Sequence, residues 1–419
     1  MHPNTRTTHP VRRALLAAVL VAAALGASAQ TPAPSGEPSL KALFDAAWAR
    51  QPEAQALQAR REASIAQRRA AESWTPEPPS LEVNHRTDGL LRNDGAREFG
   101  LGVSVPLWLP DERRRSAALA EAEAAAVESH ADGARLRLAA VVREAWWQWQ
   151  RARIDADIAR GQLDSARRLA ADVARRARAG DLARADQHQA DGAVAAAESG
   201  LAQAEAAVAV ALQQVRSLAP ESVATSAAVL PTAEPEPAGN EIAAHPALAE
   251  IQARAAVAER AVALAATQSR ANPELTLATT RDRGAAGERY GQTVTLALRI
   301  PFGAGARHDS RLAASRADAL EAQAQLAIDR ARLQAERDAA RTRVEATRTQ
   351  LSAAERRATL ARETRGFFDK SFRLGETDLP TRLRIETEAA EAERQAARSR
   401  IELAAAISSW RQALGLLPQ

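Results

Sequence analysis

Two segments in each half of the chain alternate between apolar residues and small or polar residues with the period of a β-strand. In one of them, Phe99, Leu101 and Val103 alternate with Gly100 and Gly102. Because successive side chains of a strand point to opposite faces of a sheet, this pattern predicts strands with one apolar face. Gly, Asp and Arg residues join the two strands of each half, which is typical of an exposed hairpin turn. The predicted strands cover about residues 79–88, 97–107, 273–282 and 289–301.

The remainder of the chain has the periodicity of amphipathic helices. No proline interrupts it over residues 111–179 or 306–374, so each of these helices would be ~100 Å long at ~1.5 Å per residue. Alanine occupies many of the apolar positions, which lets helix axes approach closely. The shorter helices have lengths that allow two of them to lie along each long one. The predicted helices cover about residues 39–74, 111–179, 181–219, 243–271, 306–374 and 376–415.

The elements follow the same order in both halves, which indicates an internal duplication. Pro52 heads a helical segment as Pro246 does in the second half, and Gly180 follows the first long helix as Gly375 follows the second. A stretch rich in Pro, Ala, Ser and Glu lies between the halves and is typical of a linker. We therefore predict a first repeat at residues 30–219, a linker at 220–240 and a second repeat at 241–419.

Residues 1–29 have the features of a secretory signal peptide. Arg12 and Arg13 precede an apolar run, 14–25, that is too short at ~1.5 Å per residue for the ~30 Å core of a bilayer. Small residues lead up to Ala29, so we expect cleavage near that position rather than an uncleaved anchor. The remaining chain has no apolar run of the length that a transmembrane helix needs. Any membrane-spanning segments must then be strands.

Composition and charge exclude several functions. The formal net charge is only +4 although 56 residues are basic, which gives no argument for a nucleic-acid partner. The absence of cysteine excludes disulfides, thiolate metal sites and a lipid anchor on cysteine. No metal-binding histidine spacing, nucleophile–base set or cofactor fingerprint is present, so we expect no enzyme, no metal site and no cofactor. Trp146, Trp147 and Trp149, midway along a long helix, are expected to pack against other helices.

Four strands are too few to close a membrane barrel. Known barrels begin at about eight strands, and an open edge in lipid leaves backbone N–H and C=O groups without hydrogen bonds. If the strands cross a membrane, copies of the chain must therefore pool them, two copies supplying eight strands and three supplying twelve. The alternative is that the strands form ordinary hairpins of a soluble exported protein.

The turns and strand ends resemble those of TolC-type outer-membrane efflux proteins. The resemblance is carried by the turn sequences at 176–182 and 371–377, and by Val-Pro-Leu-Trp at 105–108 and Ile-Pro-Phe-Gly at 300–303. It implies a mainly α chain with a transmembrane β part, in which four strands per protomer form a 12-stranded trimeric β-barrel joined to a long α-helical barrel. It also implies an outer-membrane location extending into the periplasm. The implied partners are two further copies, outer-membrane lipid, a periplasmic adaptor (membrane fusion protein) and an inner-membrane efflux pump.

The resemblance also assigns candidate functional residues near the two glycine turns, which would be periplasmic tips. An acidic pair of the family, six and nine residues after the second turn glycine, is replaced here by Thr381 and Arg384, with Asp186 and Asp378 as the acids nearby. These four residues are the candidates for a periplasmic constriction. The candidate tip residues for adaptor docking are Gly180, Asp181, Leu182, Gly375, Glu376 and Leu379.

Two aromatic residues lie at the ends of predicted strands. Trp108 and Phe302 would belong either to an aromatic belt at the membrane interface or to ordinary hairpin packing. The Pro-x-Leu strand starts, together with the arginine-rich segment 113–115 after the second strand, resemble the branch of the family that serves heavy-metal and cation RND pumps, so metal cations are one candidate cargo.

Together these features predict the outer-membrane channel of a tripartite efflux system, a passive trimeric exit duct. A type I secretion exit duct is a variant of the same class. A soluble periplasmic adaptor is the alternative from another class. Adaptors, however, carry one helical hairpin between lipoyl-like halves, whereas this chain is duplicated.

Overall fold

The computed structural model describes residues 39–90, 93–219, 233–239, 244–303 and 305–419. The predicted signal peptide and most of the predicted linker lie outside the described residues. Within them, helices and strands begin and end close to the predicted positions. The elements are α1 (Leu40–Ala49), α2 (Pro52–Ala71), β1 (Ser80–Thr87), β2 (Arg97–Pro106), α3 (Glu112–Ala179), α4 (Arg184–Leu218), α5 (Pro246–Thr267), β3 (Glu274–Arg283), β4 (Gly291–Arg299), α6 (Gly305–Arg373) and α7 (Leu379–Ala413).

The first predicted helix, 39–74, is two helices in the structure. α1 ends at Ala49 and α2 begins at Pro52, with Gln51 in an extended conformation (φ −68°, ψ 138°) between them. A proline ring clashes with a helical conformation of the residue before it, so Pro52 causes this break. Proline is tolerated at the first position of α2 because the N–H that it lacks would have no helical partner there.

The four strands form one antiparallel sheet in the order β1-β2-β3-β4. Each repeat supplies one hairpin, and the two hairpins join along β2 and β3, with Ser104 opposite Thr276. The hydroxyl groups of these two residues are 2.7 Å apart and hydrogen-bonded. The sheet therefore combines both repeats, and β1 and β4 are its two edges.

The two long helices form the body of the chain. α3 has 68 residues and α6 has 69, so each is ~100 Å long at ~1.5 Å per residue. α2 and α4 pack along α3, and α5 and α7 pack along α6, as expected from their lengths. α3 also packs against α5 and α7 of the second repeat. No helix in the described part of the chain is both long and apolar enough to cross a membrane.

The largest core cluster lies midway along α3, where α1, α4 and α7 meet it. Trp146, Trp147 and Trp149 are each at most 4% exposed and pack with Leu43 and Phe44 of α1. The prediction that these tryptophans pack between helices is confirmed. Alanine is the main residue in other helix contacts, such as the cluster between α6 and α7. The large side chains of the tryptophan cluster therefore bury more apolar area per residue than those contacts do.

A buried ion cluster joins the linker to both repeats. Glu234 accepts hydrogen bonds from Arg143 of α3 through Nη2 (2.8 Å) and Nε (3.0 Å), and Arg411 Nε of α7 is 3.2 Å from the same carboxylate. All three side chains are at most 5% exposed. Arg411 also donates to the Pro235 carbonyl (3.0 Å). Buried charges require such pairing, so residues 233–239 are held between the repeats.

Candidate functional site: the sheet surfaces and the helical turns

One face of the sheet is a continuous apolar surface, here called the outer apolar face. The register places Leu81, Val103, Leu277 and Leu296 side by side in one row across all four strands. Each of these side chains is between 43% and 71% exposed. An apolar patch of this extent is typical of a protein or membrane contact rather than of a surface in water. The adjacent rows add Val83, Leu101, Leu275, Val294 and Leu298.

The opposite face of the sheet, here called the inner face, carries small and polar residues. Gly100, Gly102 and Ser104 of β2 are all buried on this side. A Cβ atom at Gly100 would overlap the side chain of Asn84 on β1, and one at Gly102 would come within 3.2 Å of the Ala278 Cβ. The inner face therefore leaves little space beside these two glycines for a larger side chain.

Both edges of the sheet are open within the described chain. β1 pairs only with β2, and β4 pairs only with β3. The N–H and C=O groups that point away from the sheet on β1 and β4 form a template to which another strand can add.

Aromatic side chains surround the end of the sheet that joins the helices. Phe302 is 94% exposed, whereas Trp108 is half-buried and its Nε1 donates to the Ser73 carbonyl (3.1 Å). Trp74, which the sequence analysis did not select, is 93% exposed beside that contact. Its position in the Pro-rich segment just before β1 was the available signal. All three residues lie at this end of the sheet, and for Trp108 and Phe302 both the interfacial belt and ordinary hairpin packing stay predictions.

The two glycine turns end the long helices in the same way. Gly180 has φ +89° and Gly375 has φ +79°, a region that residues with a Cβ rarely adopt. At the first turn, Gly180 N–H donates to the Ala177 carbonyl (3.2 Å) and Asp181 N–H donates to the Arg176 carbonyl (3.0 Å). The second turn repeats both bonds at 3.1 and 3.0 Å. This paired arrangement satisfies carbonyl groups at a helix end and reverses the chain.

A cation–aromatic cluster ties the two tips together. Phe372 of α6 is 1% exposed, and its ring lies 4.9 Å from the guanidinium of Arg176 on α3 and 5.3 Å from that of Arg382 on α7. Arg176 also donates to the Phe372 carbonyl (2.9 Å). The contacts attach the tip of the first repeat to that of the second.

The candidate docking residues differ in exposure. Leu379 is 1% exposed and Leu182 is partly buried, and both pack in the tip cluster around Phe372. Leu379 therefore packs within the tip of the single chain, and its role in adaptor docking stays a prediction from the resemblance. Asp181 and Glu376 are exposed, and Leu374, which the sequence analysis did not select, is 74% exposed beside the second turn glycine.

Both acids near the turns cap helices. Asp186 Oδ2 accepts from the Ala183 N–H (3.0 Å) at the start of α4, and Asp378 Oδ1 accepts from the Thr381 N–H (3.1 Å) at the start of α7. Hydrogen bonds from the side chain and backbone of Thr381 hold the pKa of Asp378 below its ordinary value. Each carboxylate thus has a local structural role near a helix N-terminus.

Arg384 completes the set of constriction candidates. It lies one turn further along α7, is exposed, and pairs with Glu388 at 2.6 Å. An exposed pair at this spacing on a helix contributes little to stability. The structure therefore brings Thr381 and Arg384 to the same end of the molecule as the two turns and leaves Arg384 on the surface.

The chain is similar to known outer-membrane channels. The family model "Outer membrane efflux protein" matches residues 43–219, and no curated protein matches the chain. The structure is similar to the outer membrane protein VceC of Vibrio cholerae, with TM-score 0.72 and 17% identity over 90% of this chain and 96% of that one. For the MtrE outer membrane channel of Neisseria gonorrhoeae, the TM-score is 0.71 and the identity is 16% over 90% of this chain and 89% of that one. For CusC, the TM-score is 0.73 and the identity is 16% over 91% of this chain and 92% of that one. The fold is that of TolC-type channels.

The titration of Asp378 separates a capping role from a place in a constriction ring. A carboxylate with a lowered pKa stabilises the fold above its unfolded pKa, and this contribution is lost as the pH falls through the folded pKa. Three such carboxylates brought together by assembly would instead repel one another and raise that pKa. We expect the protection of the Thr381 amide in the assembled channel, its exchange rate relative to the intrinsic rate at the same pH, to stay high until the pH falls below the ordinary carboxyl range.

Asp378→Asn is the matched control, because asparagine also caps helices but does not titrate. In this variant, the protection of the Thr381 amide is expected to show no change with pH across the carboxyl range. Loss of protection in the wild type above the ordinary carboxyl range would contradict the capping role and support a ring.

Proposed function

We propose that this chain, whose residues 43–219 match the family model of outer membrane efflux proteins, is the outer-membrane exit duct of a tripartite efflux system. It would act as a passive homotrimer that receives substrates from an inner-membrane pump through a periplasmic adaptor. The observation that carries this proposal is a four-stranded sheet with an exposed apolar face and two open edges.

The outer apolar face fits a lipid environment. Its strands have 8 to 10 residues, close to the ~9–11 that a tilted membrane strand needs. Because no water reaches the bilayer core, the edges at β1 and β4 require strands from other copies. Three copies supply 12 strands, with the small and polar inner face lining the pore.

The helices support the same assembly. α2 and α5 precede β1 and β3, and α3 and α6 follow β2 and β4, so these four helices adjoin the same end of the antiparallel sheet. If that end faces the periplasm, the long helices extend ~100 Å into it at ~1.5 Å per residue. Three copies of the paired hairpins would then enclose a duct continuous with the barrel, with the glycine turns at its far end.

Adaptor docking belongs to those far ends. Each repeat presents an equivalent turn, and both turns carry exposed acids, Asp181 and Glu376. Leu374 supplies an exposed apolar contact, while the cluster around Phe372 keeps the turns in a fixed relation. Transport of metal cations, as in the heavy-metal branch, stays a prediction.

A charge on the outer apolar face tests the membrane assignment. Leu296→Arg places a cation among lipid chains, which costs about 2–4 kcal/mol near the middle of the membrane. We expect a reduced yield of folded trimer in the outer membrane, measured by fractionation and heat-modifiable electrophoresis.

Thr295→Arg is the matched control, since the neighbouring residue points to the inner face. It is expected to insert normally and to alter only conductance. In a soluble protein with ordinary hairpins, Leu296 is already 71% exposed and an arginine there would be harmless. Normal yields of the Leu296→Arg trimer would therefore contradict the proposal.

The exposed tip leucine tests the docking proposal. Leu374→Asp places an uncompensated carboxylate in an apolar contact, so we expect efflux to fall at least about tenfold, equivalent to ~1.4 kcal/mol of binding. The measurement is substrate export from cells with equal amounts of outer-membrane trimer. Leu374→Met, which keeps an apolar side chain, is expected to export normally. Wild-type export by the Asp variant would remove Leu374 from the docking surface.

A further inference from the structure

The outer apolar face becomes basic toward the hairpin tips, at the end of the sheet away from the helices. Along β3, the positions that follow Leu277 and Thr279 on this face are Arg281 and Arg283, and Arg97 of β2 lies opposite Arg283. Because side chains alternate along a strand, all three arginines point to the same side as the apolar rows. We call Arg97, Arg281 and Arg283 the outer-rim arginines.

The two acids that the register places at the same level of the sheet, Glu98 and Asp282, belong to the inner face. Glu98 and Asp282 lie opposite each other in the register and alternate with the outer-rim arginines. Glu98 is 3.9 Å from Arg86, which shares its face. Glu288, in the second hairpin turn, accepts hydrogen bonds from two N–H groups of that turn. Among the described residues, the outer-rim arginines form no ion pair.

Tyr290 holds two of these cations near one another. The guanidinium groups of Arg281 and Arg283 lie 4.9 and 5.2 Å from the centre of its ring. Arg283 Nε also donates to the Gly95 carbonyl (3.0 Å), which fixes the direction of its remaining N–H groups. Two like charges beside one ring repel each other unless an anion compensates them. An anion with several acceptor oxygens fits this arrangement.

We propose that the outer-rim arginines bind the phosphate groups of a glycolipid headgroup in the outer leaflet of the membrane. The inference rests on the proposed function, because it requires the sheet to cross the outer membrane. Guanidinium groups recognise phosphate through paired N–H···O bonds, which makes arginine better suited than lysine to this role. Arginine greatly outnumbers lysine in this chain, so the presence of arginine at these positions is weak evidence by itself. The supporting observation is that the three arginines lie together on one face of the sheet.

The occupant is a lipid because the basic surface continues the apolar one. At ~3.4 Å per residue, Arg281 lies ~14 Å along the strand from Leu277, about the step from acyl chains to headgroup. Phe99 lies directly opposite Arg281, at the same level of the sheet, and stacks on His85 with ring centres 4.3 Å apart. A phosphorylated glycolipid would contact the apolar rows with its chains and the outer-rim arginines with its phosphates. Free phosphate could contact only the outer-rim arginines and not the apolar rows.

The test compares two double variants of the full-length channel, purified as the trimer. Arg97→Gln/Arg281→Gln removes two charges from the outer face, and the matched control Arg86→Gln/Arg299→Gln removes two charges from the inner face. The probes are lipid A with both phosphates, dephosphorylated lipid A, and inorganic phosphate. At about 1 kcal/mol per arginine near a charged membrane surface, the outer variant should bind phosphorylated lipid A roughly 30-fold more weakly.

The wild type and the inner-face control are expected to bind phosphorylated lipid A equally and to prefer it to the dephosphorylated form. Equal binding by wild type and outer variant, no preference for phosphorylated lipid, or competition by inorganic phosphate as strong as by lipid A would each overturn the inference. Trimer formation and single-channel conductance of the same preparations test the proposed function separately, since neither requires the arginines.

Discussion

The open edges of the four-stranded sheet are the constraint on which the rest of the account depends. In the proposed channel the outer apolar face lies in lipid, where the outward backbone groups of β1 and β4 have no hydrogen-bond partners among the described residues of one chain. Joining copies edge to edge satisfies both requirements at once. Because the long helices leave the sheet at one end, the same joining brings them together into a duct. Under the proposed function, the membrane part and the periplasmic part would therefore both follow from one closure.

The elements were predictable because each depends on local pattern. Alternation from Phe99 to Val103 requires only that a strand has two faces, and the helical periodicity of α3 and α6 extends over enough residues to exclude other structures. The reversal at Gly180 and Gly375 was predictable because a helix that ends in a positive φ favours glycine. The one division that was missed, at Gln51, follows from Pro52, a local signal that the long periodic pattern concealed.

What the sequence did not reveal depends on contacts between distant segments. Burial of Leu379 follows from the way Phe372, Arg176 and Arg382 pack at the tips, whereas the resemblance suggested Leu379 only as an apolar contact for an adaptor. Glu234 is far along the chain from both Arg143 and Arg411, so a composition typical of a linker concealed a buried ion cluster. Capping by Asp378 depends on local sequence, whereas the acidic pair of the family suggested a place in a constriction.

Disulfide trapping between the two sheet edges tests closure most directly, since the chain contains no cysteine of its own. Val83→Cys on β1 would be combined in turn with Val294→Cys, Leu296→Cys or Leu298→Cys on β4, all on the outer face, and oxidised in outer membranes. We predict that the pair in register links different copies into a ladder that ends at three chains. Folded protein in which every pair stays monomeric, or links into species larger than three chains, would contradict the account.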